Sequence, residues 1–431
     1  MRRQTPSAAT TDLFELQRHT FGYFVHEADP ASGLVRDNSR YGSPSSIAAV
    51  GLGLACWPIA VERGIVTRDE AIQRVLATLR FFDESEKGPH PDATGHRGFF
   101  YHFLDLPTGR RAFGCELSTM DTAILLAGAV TAAAYFDRAS TEESEIRRLA
   151  HSLYRDAEWD WALDGELTIR HGWTPEVGFL PFSWKGYNEA LILYALALGS
   201  PSHPLPPEAY AAWSATYEWR RAYGIEYLYG GPLFMHQLSH LWIDFRDIRD
   251  AFMREKGIDY FENSRRATQV QQRYAAENPG RFRGYSKDVW GITASDGPGP
   301  AVRRVGGRMR RFYDYCARGA PYGPDDGTLS PWAVVASLPF APSIVKATIE
   351  GILEKYPAMR SSYGFLCSFN PTFAAAGGGW IAKGYYGLDQ GPVVIMLENF
   401  ATGLIWNLMR RCSPLVEGLR RAGFTGGWLD G

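Results

Sequence analysis

The chain has 431 residues, 45% of them hydrophobic, enough to bury a sizeable core and, at this length, to form one barrel-sized domain over 1–431. Its 45 basic side chains are balanced by 47 acidic ones, so composition supplies neither the basic face that nucleic acid needs nor a sign of an anionic membrane partner. The five cysteines (Cys56, Cys115, Cys316, Cys367 and Cys412) are scattered, odd in number and without a CxxC pair, a pattern that suggests neither a disulfide framework nor a zinc ribbon.

The excess that carries information is aromatic: 13 Trp, 22 Tyr and 24 Phe beside 45 Gly. Aromatic rings stack on the apolar faces of sugars, although a large core uses the same residues. At the amino terminus, Met1-Arg2-Arg3-Gln4-Thr5-Pro6 has two positive charges and no apolar segment behind them. No signal peptide is expected as written, hence a soluble cytoplasmic protein, or a periplasmic or secreted one if the chain has been trimmed.

Apolar residues recur at helical spacing in about a dozen segments, near 11–27, 45–63, 68–84, 118–137, 142–158, 187–199, 206–221, 235–252, 258–277, 330–356 (broken near Pro339 and Pro342), 390–409 and 413–422. Thr67 before Arg68-Asp69-Glu70 and Thr141 before Glu142-Glu143 place acids in first turns. The segments at 45–63, 118–137, 187–199 and 390–409 are nearly uncharged, whereas those at 68–84, 142–158 and 258–277 keep one charged face. Alternation of apolar and amphipathic helices is what a two-layer helical ring requires, so the expected fold is all-α, an α/α toroid of six hairpins. Between the helices, 86–117, 159–186, 278–329 and 357–389 are dense in Gly, Pro and aromatics and are expected to gather at one end as cleft walls, with small hairpins near Gly98–Phe103 and Tyr363–Leu366.

Acids recur where such loops enter apolar helices. Trp184-Lys185-Gly186-Tyr187-Asn188-Glu189 puts Glu189 among rings that would desolvate it and favour its neutral form, or simply in a first turn favoured by the helix dipole. Cys115-Glu116-Leu117-Ser118-Thr119-Met120-Asp121 offers Asp121 or Glu116 as a second carboxylate, or else a capping network. Asp389 and Gln390, in Tyr385-Tyr386-Gly387-Leu388-Asp389-Gln390, suit sugar hydroxyls or an N-cap, and Asp325 or Asp326 is a reserve base. Several acids around one pocket are what glycosidic cleavage needs.

Other patterns are weaker. His236 and His240 stand at i and i+4, but the Glu of HExxH is missing, so no metal is expected and His236 with Gln237 reads as a hydrogen-bonding pair. Ala375-Ala376-Gly377-Gly378-Gly379 lacks a βαβ context and no cofactor is expected. Arg303, Arg304, Arg308, Arg310 and Arg311 read as a solvated loop.

The blocks Phe99-Phe100-Tyr101-His102, Glu116-Leu117-Ser118-Thr119-Met120-Asp121-Thr122, Gly186-Tyr187-Asn188-Glu189-Ala190, Phe234-Met235-His236-Gln237 with Trp242 and Asp244, Tyr285 to Pro298, and Gly384 to Pro392 resemble the glucoamylase-like domain family, which includes the endo-β-1,2-glucanases of glycoside hydrolase family 144. The resemblance runs from about residue 15 to about 425, with the Arg-rich stretch near 303–311 as a departure. It implies an (α/α)6 barrel and inverting, endo-acting hydrolysis of β-1,2-glucan to sophoro-oligosaccharides, with Glu189 as acid and Glu116 or Asp121 as base. A retaining transglycosylase, an exo-acting hydrolase and a catalytically silent glucan-binding protein are the alternatives. A β-glucan is the expected partner, with Trp184, Tyr187, Trp290, Tyr363 and Trp380 for stacking and His236, Gln237, Asn370, Asp389 and Gln390 for hydroxyls.

Overall fold

The computed structural model describes residues 12–373 and 379–431, so the amino-terminal six residues and most of the Ala375–Gly379 stretch lie outside it. Fourteen α-helices follow one another among the described residues: α1 Leu13–His26, α2 Ile47–Glu62, α3 Arg68–Glu84, α4 Thr119–Tyr135, α5 Thr141–Asp156, α6 Leu191–Leu198, α7 Glu208–Ser214, α8 Ala251–Lys256, α9 Tyr260–Glu277, α10 Pro331–Ala336, α11 Pro342–Lys355, α12 Gly387–Ala401, α13 Leu404–Met409 and α14 Ser413–Arg421. Their starts follow local chemistry. Thr67 and Glu70 form a reciprocal capping box at α3, Ser46 and Ser118 cap α2 and α4, and prolines open α10 and α11, where a missing N–H costs nothing.

The helices sort into two layers. The nearly uncharged α2, α4, α6, α10 and α12 are buried almost all round; α2 packs between α4 and α12, α4 continues to α6, and α10 lies against α12. Outside them, α3 and α5 pack on each other and on α2 and α4, α1 covers α12, and α14 covers α6. Contact between α2 and α4 is backbone-close: a Cβ on Gly128 would stand 1.9 Å from the Gly51 carbonyl oxygen, so side chains are excluded there. None of the described helices is long and apolar enough to cross a membrane.

Two expected helices differ. Residues 235–252 form two 3-10 turns, Leu233–His236 and Leu238–Leu241, then an irregular stretch before α8. Gln237 donates to the Ala333 carbonyl and Ser337, Ser239 takes the N–H of Ile192, and His240 meets Ser264, so tertiary hydrogen bonds displace the helical ladder. The 206–221 segment stops after α7; Trp219–Ala222 then pairs with Ile225–Leu228 around Tyr223-Gly224, both at positive φ as a tight hairpin requires. The loops also carry short antiparallel ladders, including Gly95-His96 with Phe99-Phe100 and Arg360-Ser361 with Gly364-Phe365, so the chain is helix-rich rather than purely α.

Candidate active site

The amino-terminal ends of α4, α6, α10 and α12 converge on one cleft of about 310 Å³, into which Asp121, Glu189, Trp332 and Asp389 project. The loops add His102, Glu116, His171, Trp184, Phe234, Gln237, Ala294 and Tyr315 to its walls. Helix amino termini carry partial positive charge, which favours gathering carboxylates at this end.

Glu189 lies in the turn before α6, one residue ahead of its N-cap Ala190, and its backbone is pinned. Ser239 Oγ donates to the Glu189 carbonyl at 3.0 Å, and Asn188 Oδ1 accepts from the next N–H, that of Ala190, at 3.0 Å. Its Oε2 is buried, with no hydrogen-bond partner among the described residues. Burial, opposed in part by a backbone N–H and reinforced by the negative charge of Asp121, raises its pKa from 4.5 to about 7.

A second acidic group faces the same space. Ser118 Oγ accepts from the Asp121 N–H at 3.1 Å and donates to Asp121 Oδ2 at 2.5 Å. His102, stacked on Phe103 at 3.9 Å, places Nδ1 3.0 Å from Glu116 and Nε2 3.5 Å from Asp121. Burial alone would lower the pKa of this imidazole, but Asp121, Glu116 and Asp37 around it raise it to about 9. His102 is therefore cationic near neutrality. Burial pushes Glu116 up, yet the hydrogen bond and charge of His102 dominate and hold its carboxylate below the usual range. Asp37, partly buried and near Asp121 and Asp296, is raised by desolvation despite a hydrogen bond from Asn38 and the charge of His102.

Asp389, which also lines the cleft, lies in the first turn of α12 with Oδ2 buried and without a hydrogen-bond partner among the described residues. Burial, with Asp296 and Asp37 nearby, lifts its pKa well above the usual carboxylate range against a hydrogen bond from Cys367. Asp296 accepts from the Tyr386 hydroxyl at 2.9 Å and pairs with Arg40.

The expected residues divide between cleft and support. Trp184 is in the wall, stacked on His171 at 4.0 Å and donating its indole N–H to Thr119 at 3.1 Å. Gln237 reaches the cleft with its NH2 committed to Ala333 and Ser337, while Oε1 is buried and unpartnered. Tyr187 and His236 do not line the cleft; they pack on each other at 5.1 Å behind it, and burial drives His236 down to about 3, a neutral ring beside Asn263. Trp290 is a fully buried core residue rather than a platform. Asn370 holds its loop by donating to the Asp326 carbonyl and Thr328. Tyr363 turns to α1, where its hydroxyl donates to Glu27 at 3.1 Å and its ring stacks on His26. Trp380 belongs to a two-residue strand paired with Phe369-Asn370, and Gln390 is buried behind Asp389, its amide 3.5 Å from the Phe365 carbonyl. The reserve acids are structural as well: Asp325 accepts from Tyr274 and Tyr285, and Asp326 is paired with Arg318.

His102, His171 and Tyr315 line the cleft and were not anticipated as site residues. His102 sits within a block quoted for the resemblance, but no spacing rule marks it; Asp37 and Asp296 act on the cleft only through their charges, Asp37 on His102 and both on Asp389.

Known proteins resemble this chain in sequence and fold. An exo β-1,2-glucooligosaccharide sophorohydrolase (non-reducing end) of Parabacteroides distasonis is 29% identical over 97% of the chain, and the chain spans 59% of that protein's length. The structure of an endo-β-1,2-glucanase from Chitinophaga pinensis, solved with sophorotriose and glucose, superposes with a TM-score of 0.86 at 26% identity, covering 98% of this chain and 100% of that one. A β-1,2-glucanase structure from Parabacteroides distasonis gives a TM-score of 0.84 at 28% identity, over 95% of this chain and 59% of that one. The Glycoamylase family model, described as "Putative glucoamylase", matches residues 181–413, more than half of the chain and the part that contains Glu189, Gln237 and Asp389. With that match and this shared fold, the chain belongs to the glucoamylase-like family.

Proposed function

We propose that this chain is a glycoside hydrolase that cuts β-1,2-linked glucan with inversion, on an (α/α)6 barrel of six hairpins whose inner helices present their amino termini to the substrate. One observation carries the reading: a carboxylic acid held half-protonated near neutrality, Glu189, shares a cleft with carboxylates gathered around a cationic His102. An inverting glycosidase needs that pairing, one acid to protonate the leaving oxygen and one carboxylate to activate water on the opposite face.

In this reading Glu189 donates the proton; its Oε2 carries no competing hydrogen bond. Asp121 is the base. Both of its contacts fall on Oδ2, from Ser118 and His102, leaving Oδ1 to orient a water. Glu116 fixes the other nitrogen of His102 and so steadies the imidazole rather than the water. Asp389, kept neutral by burial, donates a hydrogen bond to a sugar hydroxyl, and Trp184 with His171 forms a ring surface for a pyranose face.

Cutting within the glucan chain is the reading adopted, in line with the endo-acting Chitinophaga pinensis enzyme. Release of sophorose from chain ends is the second reading, favoured by the Parabacteroides distasonis sophorohydrolase. Incubation with a panel of purified glucans separates them. The proposal expects cleavage of long linear β-1,2-glucan into a ladder of sizes; sophorose alone from the first minutes supports the second reading, and turnover of only other linkages removes both.

A further inference from the structure

The arginine-rich stretch is not a loose loop. Ala301–Val305 and Arg308–Phe312 pair in a five-residue antiparallel hairpin turned by Gly306-Gly307. One face is anchored: Val305 and Phe312 are buried, Arg303 lies over the Phe373 ring at 4.1 Å, and Arg310 lies over Phe282 at 4.6 Å while donating to the Gly280 and Arg281 carbonyls. Beneath it the fully buried Arg318–Asp326 pair clamps the base, Arg318 donating to the Ser295, Tyr313 and Asp314 carbonyls and Asp326 accepting the Tyr313 N–H.

The opposite face is turned to solvent. Cross-strand partners share a face, which puts Arg304 beside Met309 and Arg311 beside Val302, all four exposed. Arg303, Arg304, Arg308 and Arg311 form no ion pair among the described residues, and the sequence of the two undescribed segments contains no Asp or Glu. Elsewhere in a chain of net charge −2, exposed arginines commonly find carboxylates, as Arg80 does with Glu145 and Arg97 with Glu158. The hairpin is also continuous with the cleft. Short connections, 296–300 and 313–315, join its strands to a separate ladder of Ala294-Ser295 with Cys316-Ala317, and Ala294 and Tyr315 line the cleft wall.

We infer that this hairpin is a binding arm for anionic groups carried by the saccharide, extending the cleft to glucans that bear carboxylate or phosphate substituents. The inference rests on the glucan-hydrolase reading above. Guanidinium groups pair with both kinds of anion through parallel N–H donors, and Val302 and Met309 add apolar contact for the sugar faces between substituents. Held on a clamped hairpin, the charges need little ordering on binding. Exposed pairs are individually weak, so two or three together amount to a preference of roughly threefold to tenfold.

The test compares linear β-1,2-glucan oligosaccharides that are neutral, carboxymethylated or phosphorylated, using the full chain and its Arg304→Gln/Arg311→Gln variant. At low ionic strength kcat/KM for the charged substrates should exceed that for the neutral one by about threefold to tenfold, and the ratio should fall towards one near 1 M salt, where the screening length is about 3 Å. In the variant the ratio should be near one already at low salt; loss of folding lowers both rates and cannot imitate that change. A preference for only one of the two anions would identify which substituent the arm takes. Equal rates for charged and neutral glucans with the unmodified chain, or a preference that survives in the variant, overturns the inference. If no glucan is cut, the hydrolase reading has failed, and calorimetric affinities for the same oligosaccharides still decide the arm by the same ratio. Tighter binding of a short DNA oligonucleotide than of either charged saccharide also overturns it.

Discussion

The imidazole of His102 stands 3.0 Å from the carboxylate of Glu116, Nδ1 to Oε1. Its other nitrogen points to Asp121 at 3.5 Å, so one cation is shared between two acids at the mouth of α4. With His102 raised to about 9, that cation persists through the neutral range. Replacing it by Gln keeps a hydrogen-bonding side chain but removes the charge. The carboxylates of the cluster, among them Glu116, then become harder to ionise, so the acidic limb of the kcat/KM profile should move to higher pH. Activity at neutral pH should fall about tenfold to hundredfold, the range of a disturbed acid–base group. A limb left in place would show that His102 does not set the charge of the base.

Glu189→Gln should lower kcat by about a hundredfold to ten-thousandfold and erase the alkaline limb near pH 7 that protonated Glu189 imposes. Steady-state rates across pH check both points.

The same substitution should raise stability above neutrality. Glu189 is raised from 4.5 to about 7 in the folded chain, so between those values the native state holds a proton that the unfolded state has released. Stability therefore falls as pH rises through that window, by up to about 3 kcal/mol at a cost of about 1.36 kcal/mol per pKa unit. Glu189→Gln carries no such loss; its Tm advantage should be small near pH 5 and larger near pH 8. Thermal melts at the two pH values read it, and an advantage independent of pH would speak against the enclosed acid.

Much of this was legible in the sequence. The apolar runs that became α2, α4 and α12 carry so few charges that only an inner layer can hold them, and Glu189 and Asp121 were marked by standing where aromatic loops enter such runs. The stretch 235–252 was misread because His236, Gln237, Ser239 and His240 satisfy distant partners that no local window contains. Trp290 was misread for the opposite reason: in one dimension a core tryptophan and a sugar platform have the same neighbours. His102 was passed over because its role depends on Glu116 and Asp121, one beside it through strand pairing and the other a helix turn away.

Asp326 illustrates an acid whose loss should unfold rather than inactivate. It and Arg318 are both fully buried, and removing one partner strands the other charge. Asp326→Ala should cost about 3–5 kcal/mol of stability. Denaturant midpoints check this, and a near-normal midpoint with abolished turnover would return Asp326 to the catalytic list.

Trp184→Ala should act on binding. The ring lies against His171 at 4.0 Å and lines the cleft. Its removal should raise KM about tenfold or more with a smaller change in kcat, corresponding to about 1.4 kcal/mol or more of uniform binding. A change confined to kcat would place Trp184 in the chemistry instead.

The claim on which these expectations depend is a single displacement at a β-1,2 linkage, with Glu189 and Asp121 acting from opposite faces. Proton NMR during the first minutes of hydrolysis of linear β-1,2-glucan reports the anomer formed at the new reducing end before mutarotation. The account predicts the α-anomer; a β-anomer released first would contradict it.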